Sequence, residues 1–179
     1  MLEALRRGER RAQENFLRRY APRVFSIAWR MLSNQLDAEE LTQDVMVQAL
    51  QSIDTYDPAR ASLATWLGRI AYSRALNVID KQRRRPRPLD IDTDSMSHTL
   101  CGQPPDLSGE PPPELIDLLE RAIPTLSPAD QTLLHLFYFD RQPLAEIAYI
   151  TGMTTGTIAT RLHRIRQRLR DIINKLRNQ

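Results

Sequence analysis

The residues best equipped for chemistry lie near the C-terminal end of the chain, in the run Thr154-Thr155-Gly156-Thr157-Ile158-Ala159-Thr160-Arg161-Leu162-His163-Arg164. Thr157, Ala159, Thr160, Arg161, His163 and Arg164 interleave with Ile158, Leu162, Ile165 and Leu169, which recur at helical spacing. A helix built this way buries its apolar stripe. Its other face offers hydroxyls, a methyl, an imidazole and guanidinium groups, a set that can reach phosphates and base edges in a major groove. Arg166, Arg168 and Arg170 prolong the basic surface. Upstream, Pro143 opens a short helix from Leu144 to Ile150, Gly152 breaks it, and Thr154 or Thr155 caps the final helix, which runs to about Leu176. Small Ala148 permits close approach and Gly152 supplies the turn, so the pattern reads as a helix-turn-helix. The competing reading is an amphipathic helical hairpin whose basic face is merely solvated.

The elements that must hold this motif are also helical. Runs of alternating apolar and polar residues rich in Val, Ile and Thr are missing, and the periodicity predicts an all-α fold of two small domains. In the first, a helix is expected over 9–20 with Ala12, Phe16 and Leu17 inward. Pro22, near the first position of the next, opens a second helix carrying Val24, Phe25, Ala28, Met31 and Leu32. Asp37 is expected to cap a third over 38–52, with Glu40 as capping-box partner and Leu41, Val45, Ala49 and Ile53 buried. After the loop 56–61, Ser62 caps a fourth helix to about Arg85 with Leu63, Trp66, Leu67, Ile70, Val78 and Ile79 inward. Trp66 stands on that apolar stripe and reads as core; Tyr72 is ambiguous.

Seven prolines and Asp90, Asp92 and Asp94 fall in the stretch 86–113, which lacks a helical period and reads as a flexible, acidic, Pro-rich linker. The second domain follows, with Leu115, Leu118, Leu119 and Ile123 on one stripe. A helix capped by Ser127 with Pro128 at its first position comes next, apolar almost all round through Leu133, Leu134, Leu136, Phe137 and Phe139. The expected organisation is 1–86, a linker 87–112, and 113–179.

Several function classes lose support. No GxGxxG or GxxxxGK[ST] run occurs among only six glycines, and no convergent acid, base and nucleophile set is apparent, so an enzyme is not expected. One cysteine, Cys101, cannot form an internal disulfide, and His98 with Cys101 gives two ligands, too few for a metal site. No cofactor is implied. No apolar run approaches a membrane span and no signal peptide is seen, which places the chain in the cytoplasm with no membrane insertion of its own. The net charge of +3 is unevenly spread: +6 over 1–87, −8 over 88–120, −1 over 121–154 and +6 over 155–179. Of 25 basic residues 23 are arginine, which favours bidentate contact to phosphate or guanine and is equally compatible with a biased genome composition.

Three blocks, 37–50 (DAEELTQDVMVQAL), 65–85 (TWLGRIAYSRALNVIDKQRRR) and 144–170 (LAEIAYITGMTTGTIATRLHRIRQRLR), in this order around a variable linker, resemble the extracytoplasmic-function sigma factors of the sigma-70 family. The resemblance implies sigma region 2 over 1–86, sigma region 4 over 113–179, and no region 3. It implies that Glu40, Gln43 and Asp44 dock on the coiled coil of the RNA polymerase β′ subunit. Their spacing puts them on one face opposite Leu41 and Val45, and an acidic face suits a basic partner or simply solvates its helix.

By the same resemblance the fourth helix and its preceding loop open the minus 10 element and read single-stranded bases. Single-strand binding uses cations and stacking groups: Arg69, Arg74, Asn77, Lys81 and Arg84 along the helix, Tyr56 and Arg60 in the loop. The terminal helix would read the minus 35 element of promoter DNA, with Ala159 and Thr160 departing from the basic residue and serine common there. Region 4 would also meet the β flap, and an anti-sigma protein is an expected partner. The rival reading is an autonomous helix-turn-helix regulator that does not dock on core polymerase, for which the 37–85 block would have no purpose. The acidic linker either masks the basic helices, lies in polymerase channels or acts as a tether.

Overall fold

The computed structural model describes residues 2–83 and 112–178, in two compact helical units. Arg84 and the linker through residue 111, with Asp90, Asp92, Asp94, His98 and Cys101, lie outside the described residues, as does the expected boundary at 86. Among the described residues there is no β-strand, and the all-α expectation holds.

The N-terminal unit comprises α1 (Leu2–Arg6), α2 (Arg10–Leu32), α3 (Gln35–Gln51) and α4 (Leu63–Arg83), with α2 packed on both α3 and α4. The expected pair of helices meeting at Pro22 is a single helix. Pro22 removes one backbone donor, the partner of the Arg18 carbonyl, but both residues are exposed, on the side of the helix where such a loss costs least. On the opposite side, Phe16, Val24, Ile27, Ala28 and Met31 are buried, with half-buried Tyr20 bridging the two turns between Phe16 and Val24. Burial of those residues outweighs the bond lost at the proline and the helix continues through it, whereas Leu17, expected inward, is exposed.

The cap of α3 lies three residues before the expected Asp37. Asn34 is in the extended conformation and its Oδ1 accepts the Asp37 N–H at 3.1 Å, leaving Asp37 in the first turn. Ile53 is buried just beyond α3, in a 3₁₀ turn over Ile53–Thr55. Ser62 caps α4 as expected, its Oγ accepting the Thr65 N–H at 3.1 Å. Alanines contribute to the core: Ala28, Ala38, Ala49, Ala71 and Ala75 are fully buried, and Tyr72, next to Ala71 in sequence, is buried too. Ile70, Val78 and Ile79 are only half-buried.

The C-terminal unit comprises α5 (Pro113–Ala122), α6 (Pro128–Leu134), α7 (Leu144–Thr151) and α8 (Thr155–Arg177), with α8 packed on α5 and α6. Ser127 caps α6, its Oγ accepting the Asp130 N–H at 3.2 Å, with Pro128 at the first position. The helix ends in a π-helical turn, His135–Phe139. That wider turn carries Phe139 out of the core to 64% exposure, against expectation, with its ring stacked on His135 at 4.8 Å. Arg141 (φ 49°) reverses the chain in the left-handed region, and the Gln142 N–H closes the turn on the Leu136 carbonyl at 3.0 Å.

Candidate functional site

Gly152 (φ 74°) makes the turn between α7 and α8, in the left-handed conformation where a Cβ is costly. Thr154 caps α8, its Oγ1 accepting the Thr157 N–H at 3.1 Å. Ile158, Leu162, Ile165 and Leu169 are buried, so the motif is the helix-turn-helix expected from the sequence. The outward side is narrower than expected. Thr157 and Arg164 are exposed, Thr160 and His163 half-buried, and the Thr160 hydroxyl donates to the Gly156 carbonyl at 3.0 Å. Thr157, Thr160, Arg164 and Arg168 fall three, four and four residues apart, one line along the helix.

Two residues assigned to that face are placed elsewhere. Ala159 is 8% exposed, because it adjoins Ile158 and lies three residues from Leu162 on the packed side, so its methyl is not offered to a groove. Arg161 turns back to α6: its Nε donates to Asp130 Oδ1 at 2.6 Å, and Asp130 Oδ2 accepts the Ser127 hydroxyl at 2.7 Å. A guanidinium held by a carboxylate that is itself 18% exposed braces α8 against α6 and is not a spare phosphate contact.

In the N-terminal unit Glu40, Gln43 and Asp44 are all exposed on α3, opposite buried Leu41 and Val45, and the three share a face. The sequence reading missed Leu36 and Val47, which stand on the same side of the helix at 75% and 54% exposure. Leu36, Gln43 and Val47 are seven and four residues apart, so apolar groups bracket the polar ones, an arrangement typical of protein contact surfaces. The signal was present: Leu36 precedes the buried stripe and breaks its register.

The same helix forms a groove with α4, lined by Glu40, Asp44 and Gln48 on one wall and Arg74, Asn77 and Lys81 on the other. Asn77 and Lys81 are exposed, as are Arg60 and Arg69. Arg74, however, reaches across the groove, Nε donating to Gln48 Oε1 at 2.6 Å and Nη1 to Asp44 Oδ2 at 2.8 Å. Two expected sites, one acidic and one basic, therefore share a bonded pair.

Tyr56 also departs from its expected role. It is 8% exposed, its ring lies 5.4 Å from that of Trp66, and its hydroxyl donates to the Ala61 carbonyl at 3.0 Å. Its own carbonyl accepts Arg6 Nη2 at 3.2 Å. Burial pushes the phenol above its ordinary pKa, and the ring serves as a strut of the 56–61 loop, unavailable for stacking on a base. Trp66 is buried, as its place on the stripe required.

These two units correspond to known sequence families. Residues 16–85 match sigma-70 region 2 and residues 116–169 match sigma-70 region 4. The ECF RNA polymerase sigma factor RpoE of Cereibacter sphaeroides is 32% identical over 160 residues, covering 84% of this chain and 80% of that protein. The chain belongs to the extracytoplasmic-function (ECF) sigma factors. It is an alternative sigma factor of the sigma-70 family. A second relative, ECF sigma factor SigE of Mycolicibacterium smegmatis, is 29% identical over 170 residues; the alignment covers 90% of this chain and 62% of that longer protein. Among solved structures, the sigma factor RpoE in complex with the anti-sigma factor NepR from Bartonella quintana has a similar fold, with a TM-score of 0.63 and 24% identity over 90% of this chain and 96% of that one. Among the described residues of this sigma factor no group of three or more His, Cys, Asp or Glu could hold a metal ion, and no helix is long and apolar enough to cross a membrane.

Proposed function

We propose that this sigma factor binds core RNA polymerase in the cytoplasm and directs it to promoters as a non-enzymatic specificity subunit. The observation that carries the proposal is the pairing, in one chain, of a region 2 bundle with an exposed docking helix and a region 4 helix-turn-helix with an exposed basic line. Glu40, Gln43 and Asp44, flanked by Leu36 and Val47, dock on the β′ coiled coil, acidic groups giving register and the apolar pair burying area. Arg60, Arg69, Asn77 and Lys81, with Arg84 following on, contact the single-stranded minus 10 element. Thr157, Thr160, His163 and Arg164 contact the minus 35 duplex, and Arg168 extends the phosphate contact. The remaining region 4 surface meets the β flap.

The relative crystallised with NepR supports a further element, that an anti-sigma protein holds this sigma factor in check. The autonomous-regulator reading leaves the whole region 2 bundle without a task and finds no support among the relatives. Reconstitution tests the proposal. Core polymerase supplemented with this chain should retain it through gel filtration and start transcription from a promoter selected by it. Failure to bind core, with the chain still helical and still binding duplex DNA, would return the protein to the autonomous class.

A further inference from the structure

Arg74 stands on the helix assigned to DNA, yet its guanidinium is engaged on the helix assigned to polymerase. Nε and Nη1 reach two acceptors one helical turn apart on α3, Gln48 Oε1 and Asp44 Oδ2, so the fork spans i and i+4 of the neighbouring helix. Asp44 gives one carboxylate oxygen to this contact, and its side chain remains 60% exposed. We propose that Arg74 is a positioning residue of the docking face, holding Asp44 in the orientation in which it meets the polymerase, and is not a DNA-contacting cation. The inference rests on the reading of Glu40, Gln43 and Asp44 as that face.

The chemistry favours this assignment. An exposed aspartate on a helix samples its rotamers, and a binding partner must freeze it at an entropic cost; a carboxylate already fixed by a planar fork avoids that cost. Arg74 also gives the acidic α3 wall a local counter-charge, so Glu40 and Asp44 stand one turn apart with their mutual repulsion reduced. Lysine cannot reproduce the arrangement, since an ammonium is a point charge without the rigid spacing that meets two acceptors at once. For DNA, the consequence is negative: to contact a phosphate Arg74 must first give up two charge-assisted bonds of 2.6 and 2.8 Å.

The test is a double-mutant cycle on core binding with no DNA present, using the full chain and fluorescently labelled core polymerase. Arg74→Ala should weaken core binding about 2- to 4-fold, the low end of the loss expected when one short side chain, that of Asp44, must be ordered on binding. Arg74→Lys should restore little of it. In an Asp44→Ala background, Arg74→Ala should have no further effect, because Arg74 acts only through Asp44. A purely structural clamp would instead lower the melting temperature together with core affinity, and part of the Arg74→Ala loss would persist in the Asp44→Ala background through the remaining Gln48 bond, which overturns the proposal. Unchanged core affinity with weaker binding to a single-stranded minus 10 oligonucleotide by the holoenzyme overturns it in favour of a DNA contact. Should Arg74→Ala not fold, Arg74→Gln keeps most of the stem and the same cycle is run with it. If Asp44→Ala itself leaves core affinity unchanged, the docking-face reading fails first, an outcome separate from Asp44 mattering and Arg74 not.

Discussion

Replacing Arg161 by methionine removes the guanidinium and keeps the aliphatic stem, and the structure gives a definite expectation for the result. Its partner Asp130 is 18% exposed and the Arg161 side chain 35%, with Nε and Oδ1 2.6 Å apart. Fully exposed pairs contribute about 0.2–1 kcal/mol, while breaking a buried pair costs about 3–5 kcal/mol. A half-buried, charge-assisted hydrogen bond falls between, and about 2 kcal/mol is expected here. For a unit of this size that corresponds to roughly 8–16 °C in melting temperature. Both tryptophans, Trp29 and Trp66, lie in the N-terminal bundle, so their fluorescence follows that unit while far-UV ellipticity follows both. Arg161→Met should therefore shift the part of the ellipticity transition that tryptophan does not report. In a cycle with Asp130→Asn, the two losses should not add. Binding of a minus 35 duplex fragment by the reconstituted holoenzyme should keep its salt slope. A phosphate contact would behave oppositely, with unchanged stability and a slope smaller by about 0.9, and that outcome would refute the brace.

Arg164→Ala should cost roughly 1–3 kcal/mol at a cognate minus 35 element and relax preference at one base pair; a uniform loss over all sequences, read by competition binding, would mark a phosphate contact instead. Gln142 is 5% exposed and both of its amide atoms lack a hydrogen-bond partner, so Gln142→Leu should raise the stability of the C-terminal unit by about 1–2 kcal/mol, and a lower melting temperature would show that the amide is satisfied in solution. Asn34→Ala removes the side-chain cap of α3 and should destabilise the N-terminal bundle by about 0.5–2 kcal/mol, seen as an earlier loss of tryptophan fluorescence signal in urea.

The helices themselves, the two domains and the helix-turn-helix were legible because each depends on local patterning. Ser62 and Ser127 cap where their sequence context says they should, and the stripe Ile158, Leu162, Ile165 and Leu169 is buried throughout. The misreadings have more than one physical origin, tertiary burial overriding a local signal at some positions and competing local signals at others. Pro22 has the marks of a helix start, yet the apolar stripe on the far side of α2 outweighs one lost exposed hydrogen bond. Asp37 and Asn34 are both good caps, and sequence alone cannot rank two candidates three residues apart. The small residues were undervalued: the large apolar side chains marked the core of α4, while Ala71 and Ala75, both fully buried, carried no such signal.

Charge was the least legible property, and the arginines show why. A phosphate and a carboxylate make the same demand on a guanidinium, two oxygens at fork spacing, so residue type and helical register cannot tell which one an arginine will meet. The answer depends on what the next helix brings within reach. Asp130 happens to stand opposite Arg161, and Asp44 with Gln48 opposite Arg74, whereas Arg164 is left exposed. In a chain where 23 of 25 basic residues are arginine, residue type does not separate the two groups: Arg161 is held by Asp130 while Arg164, three residues on along the same helix, stays exposed. The two groups differ in salt response. A brace partly shielded from solvent is screened weakly, while an exposed phosphate contact exchanges with condensed counterions. Promoter binding by the Arg164→Ala protein should lose about one unit of salt slope if Arg164 meets a phosphate and none if it reads a base, and in neither case should its stability change. A drop in stability would place Arg164 among the braces and leave Thr157 and Thr160 as the readers of the groove.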